Sequence, residues 1–360
     1  MPSTDAAAAR ASEPRCITLG NGAQIVVVPT RESAGKSPDN AAHPAGTVAV
    51  QLWILGGTAA ERRDEHGCAH LLEHMLFKPS RHGGDLATDI ERLGGDINAF
   101  TSHDETVVHA TVPVGLEGEA LDALLPPVLQ PSFDPAALTV ESRVVVEEIR
   151  QYRDDPGAQA MQGLYSSLYG AHPYARPVLG TVADVRSHDA ARLRRFHRRV
   201  YAGRRVRLVV VGPVGVKSVV RRAQRWLEAL PRGRADAGGG PVLDPLPRAR
   251  VRVAEADVRE AHIQLAWRAP AVPTAVACAL EVASIVLGYG DASRLTLRVR
   301  RQQQLVSDVL ASFYPARGSS SLVVAAHAEP GRVDEVVAAV LAEVQTLGRV
   351  PMPVDDLERA

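Results

Sequence analysis

The stretch HGCAHLLEHMLFK, residues 66–78, contains the run His70-Leu71-Leu72-Glu73-His74. On a helix, residues four apart lie on one face about one turn from each other, so His70 and His74 can hold one metal ion together. Glu73 lies three residues after His70 and shares that face. Zinc binds imidazole nitrogen readily, and a catalytic zinc usually has three protein ligands and one open position. The stretch therefore predicts a helix that supplies two metal ligands and a base.

A second helix, predicted from Pro135 to about Arg153, offers the third ligand. Glu141 and Glu148 are seven residues apart, so they stand two turns apart on one face, while Glu147 points about a hundred degrees away. A merely solvated, glutamate-rich helix is the alternative. The valines and isoleucine beside these residues favour a largely buried helix instead, in which a carboxylate needs a partner. We assign Glu148 as the third ligand and Glu141 as a carboxylate that orients a ligand or a water from outside the coordination shell.

The composition is that of a globular chain. With 360 residues, 46% of them hydrophobic and 23% charged, the chain can bury a sizeable core and is long enough for two domains. Lys plus Arg equals Asp plus Glu at 41 each, so the overall charge indicates neither nucleic acid nor an acidic membrane surface as a partner. Cys16, Cys68 and Cys278 are too few and too scattered for a disulfide framework, which favours a reducing compartment.

Neither a secretion signal nor a membrane span is recognisable in the sequence. Residues 1–15 lack the apolar core of a secretion signal, and no apolar run approaches the roughly 18 residues of a membrane span. We therefore expect a soluble, cytoplasmic protein.

Cys68 lies two residues before His70. Because residues i and i+2 face different ways on a helix, we expect Cys68 to be a small, buried side chain and not a metal ligand.

The first half alternates strands and helices. The predicted elements are a hairpin at 16–30 with its turn at Gly20-Asn21-Gly22, a polar loop at 31–46, a strand at 47–57, helices at 67–77 and 85–93, adjacent antiparallel strands at 96–104 and 105–113, and a helix at 116–129.

The second half begins in the same way as the first. Residues 231–247 are rich in Gly and Pro and predict a linker, after which a strand at 261–270 and a helix at 275–287 suggest a weak internal repeat. The predicted fold class is α+β. The predicted organisation is a disordered tail at 1–15, a metal-binding unit at 16–230, the linker at 231–247, and a second, related unit at 248–360.

With His70, Glu73, His74, Glu141 and Glu148 in place, the chain resembles the pitrilysin and insulinase family (M16) of zinc metallopeptidases, and most of all its bacterial processing-peptidase-like members. The separation of 74 residues between His74 and Glu148 is typical of that family. The likeness continues through the blocks LEHMLFK, LGGDINAFTSHDETVVHATV, EEIRQYRDDP, HPYARPVLGT and RVRLVVVGPV, which follow in the family order.

The resemblance implies a fold and a way of binding substrate. In the family, two α+β units, each an antiparallel-rich sheet with helices packed on one side, enclose a peptide cavity. One Zn²⁺ per chain is implied. The strand that carries Asn98, Ala99, Phe100 and Thr101 corresponds to an edge that pairs with the extended substrate backbone; a plain internal strand is the alternative.

The segment GYGDASRLTLRVRRQQQLVSDV departs from the family pattern. An Arg and a Tyr seven residues later contact substrate in the family; Arg300 stands at the first position, but Ser307 stands at the second, and Gln304 replaces the Gly that usually precedes the Tyr by three. Losing one donor to the developing oxyanion typically costs about 10²–10³ in rate. Either a sister subunit supplies the missing groups in a heterodimer, or the chain is a slower, self-contained enzyme. For Arg300, a surface position in an Arg-rich helix is the alternative.

Two classes of function follow. The first is a zinc endopeptidase that cleaves peptides or unfolded segments, with Glu73 as the general base toward metal-activated water. The second is a structural or chaperone-like subunit without catalytic activity. For the protein as a whole we expect a peptide substrate, a homodimer or a heterodimer with a sister subunit, and no nucleic acid or membrane partner. The closing stretch VPMPVDDLERA resembles the start of the family's last helical region, so the second unit is expected to be incomplete at its C-terminus.

Overall fold

The structure is a computed structural model, and it describes residues 13–30, 46–79, 84–235, 243, 246 and 248–359. Most of the predicted tail at 1–15, of the polar loop at 31–46 and of the linker at 231–247 lies outside the described residues.

Chain contacts divide the protein into two compact units. The first unit consists of Met1–Glu147 and Val178–Ala237, and the second of Glu148–Pro177 and Gly238–Ala360. Both combine a mainly antiparallel sheet with helices, which confirms the predicted α+β class. The domain boundaries drawn from the sequence at residues 230 and 248 stay a prediction.

The first unit is built on a six-stranded sheet. Within the described residues its strands run in the order β1-β2-β6-β3-β5-β4, and only the β2–β6 pair is parallel. Buried and partly exposed residues alternate along β3, as period-2 geometry requires of a strand with one face on the core. The strands are β1 (Arg15–Thr18), β2 (Gln24–Pro29), β3 (Thr47–Leu55), β4 (Asp96–Thr101), β5 (Glu105–Pro113) and β6 (Val206–Gly212).

The predicted hairpin is confirmed. β1 pairs antiparallel with β2, from Arg15 opposite Val27 to Thr18 opposite Gln24. In the turn Gly22 has φ of +92°, a conformation that glycine adopts without steric cost.

The helices are α1 (Cys68–Leu76), α2 (Leu86–Arg92), α3 (Glu117–Leu129), α4 (Pro135–Asp154), α5 (Pro156–Tyr169), α6 (Val182–Ser187), α7 (Ala190–Val200), α8 (Val216–Leu227), α9 (Ala275–Gly288), α10 (Val333–Arg349) and α11 (Val354–Arg359). Five helices, α1, α2, α3, α4 and α9, begin and end within about one residue of the predicted bounds. No helix among the described residues combines the length and the apolar character needed to cross a bilayer.

The second unit is built on a three-stranded antiparallel sheet in the order β7-β9-β8. Its strands are β7 (Ala261–Ala269), β8 (Asp308–Tyr314) and β9 (Ser320–Ala328). One face packs on a core that includes Leu287, Val299 and Val336. Helix α5 belongs to this unit and packs against β7. The hydroxyl of Tyr169 donates to the carbonyl of Ser319 at 2.9 Å, which ties the end of α5 to the sheet.

The segment that carries Arg300 has an unusual backbone. Thr296–Gln302 is a π-helix, and the amide of Gln303 donates to the carbonyl of Arg298, five residues back, at 3.0 Å. Just beyond it Gln304 has φ of +51°, in the left-handed region that favours glycine. The residue that stands in place of the family's usual Gly therefore keeps the backbone conformation for which glycine is best suited.

Candidate metal centre

Helix α1 presents the two histidines as the sequence predicts. The ring centroids of His70 and His74 are 4.8 Å apart, as expected for side chains one turn apart on one helical face. His70 is buried, with 8% of its surface exposed. The opposite side of α1 contributes Leu71, Leu72 and Leu76 to the core, each fully buried. The apolar residues thus hold the helix while the histidines face the site.

The start of α1 is held by a carboxylate and by a close backbone contact. Oε1 of Glu61 accepts a hydrogen bond from the amide of Ala69 at 2.9 Å, which satisfies one of the free amides at the helix N-terminus. Gly67 has φ of +83°, and a Cβ there would lie 3.1 Å from the carbonyl oxygen of Leu179. A Cβ at Gly180 would lie 2.9 Å from Cα of Gly67. Only glycine allows the two segments to approach so closely.

The third predicted ligand lies beside the histidines. One ligand atom from each of His70, His74 and Glu148 can be chosen so that all three lie within 4.8 Å of one another. Glu148 reaches this position from α4, 74 residues after His74. Within the described residues this is the only group of three or more His, Cys, Asp or Glu side chains with such spacing.

The donor set suits zinc. A tetrahedral zinc with bonds of about 2.1 Å holds its ligand atoms roughly 3.4 Å apart, so these three donors need only modest side-chain rotations to close on one ion. Two imidazole nitrogens and one carboxylate oxygen also form a common donor set of catalytic zinc sites, which leave a fourth position open.

Glu141 contacts a predicted ligand directly. Nδ1 of His74 donates to Oε2 of Glu141 at 3.2 Å, and the ammonium of Lys78 lies 2.7 Å from Oε1. The Glu141 carboxylate is buried, with 5% of the residue exposed, so its charge requires these partners. Because Nδ1 of His74 is engaged with Glu141, Nε2 is the nitrogen that remains available as a ligand atom. Lys78, which the sequence does not single out, lies two residues past the end of α1.

Glu73 is held from the neighbouring strand. The hydroxyl of Thr101, the last residue of β4, donates to Oε2 of Glu73 at 2.5 Å, and it lies 3.1 Å from the hydroxyl of Thr106 on β5. Helix α1 packs against β4, which brings the two side chains together. The contact between Thr101 and Glu73 was not predicted, because nothing in the local sequence pattern relates the two positions.

Two buried groups near α1 are kept neutral. Burial raises the pKa of the Cys68 thiol well above its ordinary value, and the nearby Glu61 carboxylate raises it further. Cys68 is fully buried, as expected, and its sulfur lies 3.6 Å from Nε2 of His188. Burial likewise raises the pKa of Tyr201, with a smaller contribution from the charge of Glu73. Neither group supplies an ionised side chain at neutral pH.

The residues predicted to bind substrate fall in two places. Asn98, Ala99, Phe100 and Thr101 lie on β4, which forms one edge of the described sheet, so the alternative of an internal strand does not hold there. Arg300 belongs to the second unit, where its guanidinium lies 3.8 Å from the Asp308 carboxylate and its side chain is 45% exposed. The substrate role of these five residues stays a prediction.

Two family models match most of the chain. The model described as "Insulinase (Peptidase family M16)" matches residues 40–182, and the one described as "Peptidase M16 inactive domain" matches residues 187–360. The curated relatives include an "uncharacterized zinc protease" of Mycobacterium bovis, 31% identical over 351 residues, which are 95% of this chain and 76% of the relative. A zinc protease of Bacillus subtilis with the same description is 28% identical over 87% of this chain and 76% of its own length.

Solved structures have the same fold. A protease from Helicobacter pylori superposes with a TM-score of 0.84 at 23% identity, over 96% of this chain and 83% of that one. A peptidase M16 inactive domain from Pseudomonas fluorescens superposes with a TM-score of 0.85 at 22% identity, over 97% of this chain and 83% of that one. At such identities the likeness establishes the fold alone.

Proposed function

This chain belongs to the M16, or insulinase, family of peptidases, and from that premise we propose that it is a zinc-dependent endopeptidase with one zinc per chain. His70, His74 and Glu148 are the proposed ligands and Glu73 the proposed general base. The observation that carries the proposal is the convergence of three zinc-type donor atoms within 4.8 Å of one another. A structural subunit without catalytic activity has no need to keep these donors together.

The residues divide the chemistry between them. Zinc bound at such a site lowers the pKa of water and polarises a carbonyl oxygen. Glu73 belongs to the same helix as both histidines, three residues after His70, and its proposed role is to take a proton from the attacking water. Glu141 holds the ring of His74 through Nδ1 and carries the countercharge of Lys78. Glu141 therefore orients one of the proposed ligands, His74, before substrate arrives.

The description "inactive domain" applies to the other part of the chain. It refers to residues 187–360, whereas His70, Glu73, His74, Glu141 and Glu148 all lie within residues 40–182, which match the first family model. A single metal site in the first matched region is therefore compatible with both descriptions.

The proposed substrate is an extended peptide or an unfolded segment. β4 pairs with β5 along one side, and its other side is an edge of the described sheet, where a peptide can add as a further strand. The side chain of Asn98 accepts a hydrogen bond from the amide of Ala99 at 2.8 Å. An incoming strand that accepts a hydrogen bond from the Ala99 amide would displace this contact, so Asn98 occupies that amide when no peptide is bound.

The test separates metal binding from chemistry. Metal analysis of the purified chain is combined with cleavage of a quenched peptide, with and without a chelator. We expect about one zinc per chain and chelator-sensitive cleavage. Glu73→Gln should retain zinc but lose about 10²-fold or more in kcat, the scale of a general-base contribution.

The ligand assignment has a matched control on the same helix. Glu148→Gln should lower zinc occupancy at limiting zinc, because two imidazoles remain without the ligand charge. Glu147→Gln changes the neighbouring, exposed carboxylate and should alter neither zinc content nor rate. Full zinc occupancy in Glu148→Gln under chelator competition would remove Glu148 from the ligand set. Undiminished turnover by Glu73→Gln would refute its role as base.

A further inference from the structure

The hydrogen bond between the hydroxyls of Thr101 and Thr106 can have only one donor, because of the carboxylate beside Thr101. Each hydroxyl carries one proton, and an ionised carboxylate only accepts. Thr101 lies 2.5 Å from Oε2 of Glu73, so its proton points to the carboxylate. Thr106 must then be the donor in the 3.1 Å contact between the two hydroxyls. The result is a short chain of hydrogen bonds from Thr106 through Thr101 to Glu73.

The positions of both threonines are set by the sheet. Thr101 and Thr106 are directly opposite each other in the β4–β5 pair, at the end next to the hairpin turn. Thr106 is buried, with 3% of its surface exposed, and its β-branched side chain has few rotamers available. The turn itself is closed by the hydroxyl of Ser102, which donates to the Glu105 carboxylate at 2.8 Å. The Thr101 hydroxyl is therefore presented to Glu73 from a rigid element.

The base, by contrast, has a flexible side chain. A glutamate loses rotamer freedom when it is fixed in one conformation, and among side chains it is one of those that lose most. A general base works only when its oxygen is within hydrogen-bond reach of the proton that it takes, and a misplacement of about 1 Å can cost 10²-fold in rate. A short hydrogen bond from a rigid strand meets this requirement, since bonds from a hydroxyl to a carboxylate are among the strong ones.

We propose that Thr101 is a positioning residue that fixes the Glu73 carboxylate through Oε2, with Thr106 fixing the direction of the Thr101 hydroxyl. This inference rests on the proposed peptidase function. In this proposal the Thr101 side chain contacts Glu73 and not the substrate. If a peptide pairs with the edge of β4, Thr101 takes part in that pairing through its backbone.

The test compares an isosteric variant with a conservative one. Thr101→Val keeps the shape and removes the hydroxyl, whereas Thr101→Ser keeps the hydroxyl. We expect Thr101→Val to lower kcat by about 10- to 100-fold, with KM changed by less than about twofold and zinc content unchanged. Thr101→Ser should recover most of the rate, and Thr106→Val should fall between the two. Thr111→Val, an exposed threonine on β5, is the control for a change of residue type on the sheet.

A second readout does not depend on activity. In the metal-free chain, Thr101→Val should lower the denaturant midpoint of unfolding more when residue 73 is Glu than in a Glu73→Ala background. This coupling also reports on the contact if Thr101→Val proves too unstable for kinetics. Equal midpoint shifts in both backgrounds, or a Thr101→Val kcat equal to that of Thr101→Ser, would overturn the role of Thr101 while leaving the peptidase intact. A wild-type chain without chelator-sensitive cleavage would overturn the proposed function and this inference with it.

Discussion

The carboxylate of Glu141 accepts a hydrogen bond from Nδ1 of His74 at 3.2 Å, and its other oxygen contacts Lys78, two residues past the end of α1. The contact fixes both the tautomer and the ring plane of His74, because a histidine that donates from Nδ1 has only Nε2 left to bind a metal. Glu141 and Glu148 occupy one face of α4, two turns apart, so one helix supplies both a proposed ligand and the residue that orients another ligand.

Glu141→Gln should weaken zinc binding by about 10- to 100-fold, the usual cost of losing such a supporting contact. Gln can still accept a hydrogen bond from His74, but it loses the charge that raises the basicity of the ring and pairs with Lys78. The measurement is a chelator-competition titration of the variant and the wild type. Zinc affinity equal to that of the wild type would mean that Glu141 serves only to neutralise Lys78.

Ser307→Tyr should raise the peptidase kcat more than it changes KM. Ser307 stands where the family carries a Tyr, and a donor aimed at the developing oxyanion acts mainly in the transition state. Ser307 is exposed, and its amide donates to the carbonyl of His327 at 2.9 Å, a contact that the substitution leaves in place.

Peptide kinetics of the chain alone and with candidate sister subunits would complete this test. If a partner supplies the missing group, a sister subunit should raise the kcat of the wild type but add little to Ser307→Tyr. High activity of the chain alone that neither a partner nor Ser307→Tyr changes would show that the site needs no such donor.

Gln304→Gly should stabilise the protein by up to about 1 kcal/mol. Gln304 has φ of +51°, which costs a non-glycine residue roughly 1–2 kcal/mol, and the greater freedom of glycine in the unfolded chain offsets part of that gain. The contact from Arg332 goes to the backbone carbonyl of Gln304 at 3.0 Å, so the substitution keeps it.

Gln303→Gly is the matched control for this prediction. Gln303 has φ of −87° and ψ of −18°, an ordinary helical conformation, so glycine there should destabilise by about 0.5–1 kcal/mol. Denaturant midpoints of the two variants should shift in opposite directions. Shifts of the same sign would mean that the backbone at Gln304 is not strained.

His197 should make the protein lose stability in acid. Burial lowers its pKa from 6.5 to about 4. The hydrogen bond that its Nε2 donates to the carbonyl of Val128 at 3.1 Å raises the pKa, but by less than burial lowers it. The unfolded chain therefore binds a proton on His197 before the folded chain does. The free energy of unfolding is therefore independent of His197 titration above about pH 6.5. It falls by about 3 kcal/mol in total as the pH drops from there toward 4.

Denaturant unfolding of the metal-free chain at several pH values between 7.5 and 4 would measure this loss. His197→Gln keeps a donor for Val128 and cannot titrate, so its profile should be flatter than that of the wild type. Because His197 also stacks on Tyr201 at 4.2 Å, the variant should be less stable at pH 7.5, and this difference should shrink as the pH falls. Parallel profiles would contradict the assignment.

Helix α1 and the strand pattern could be predicted from the sequence because they depend on residues close together in the chain. The i, i+4 spacing of His70 and His74 and the i, i+3 spacing of His70 and Glu73 each place a pair on one face of a regular helix, and the spacing of seven does the same for Glu141 and Glu148 on α4. Alternating burial along β3 and the turn glycine at Gly22 follow from equally local rules.

The tertiary structure alone decided which of these local faces meet. The approach of Glu148 to His70, the contact of Lys78 with the buried Glu141 and the bond from Thr101 to Glu73 join residues far apart in the chain, and no periodicity relates such positions. The packing of α5 against β7 is of the same kind. Helical and strand periods are properties of a few consecutive residues, whereas contacts between elements depend on how their apolar faces pack in a core to which residues far apart in the chain contribute.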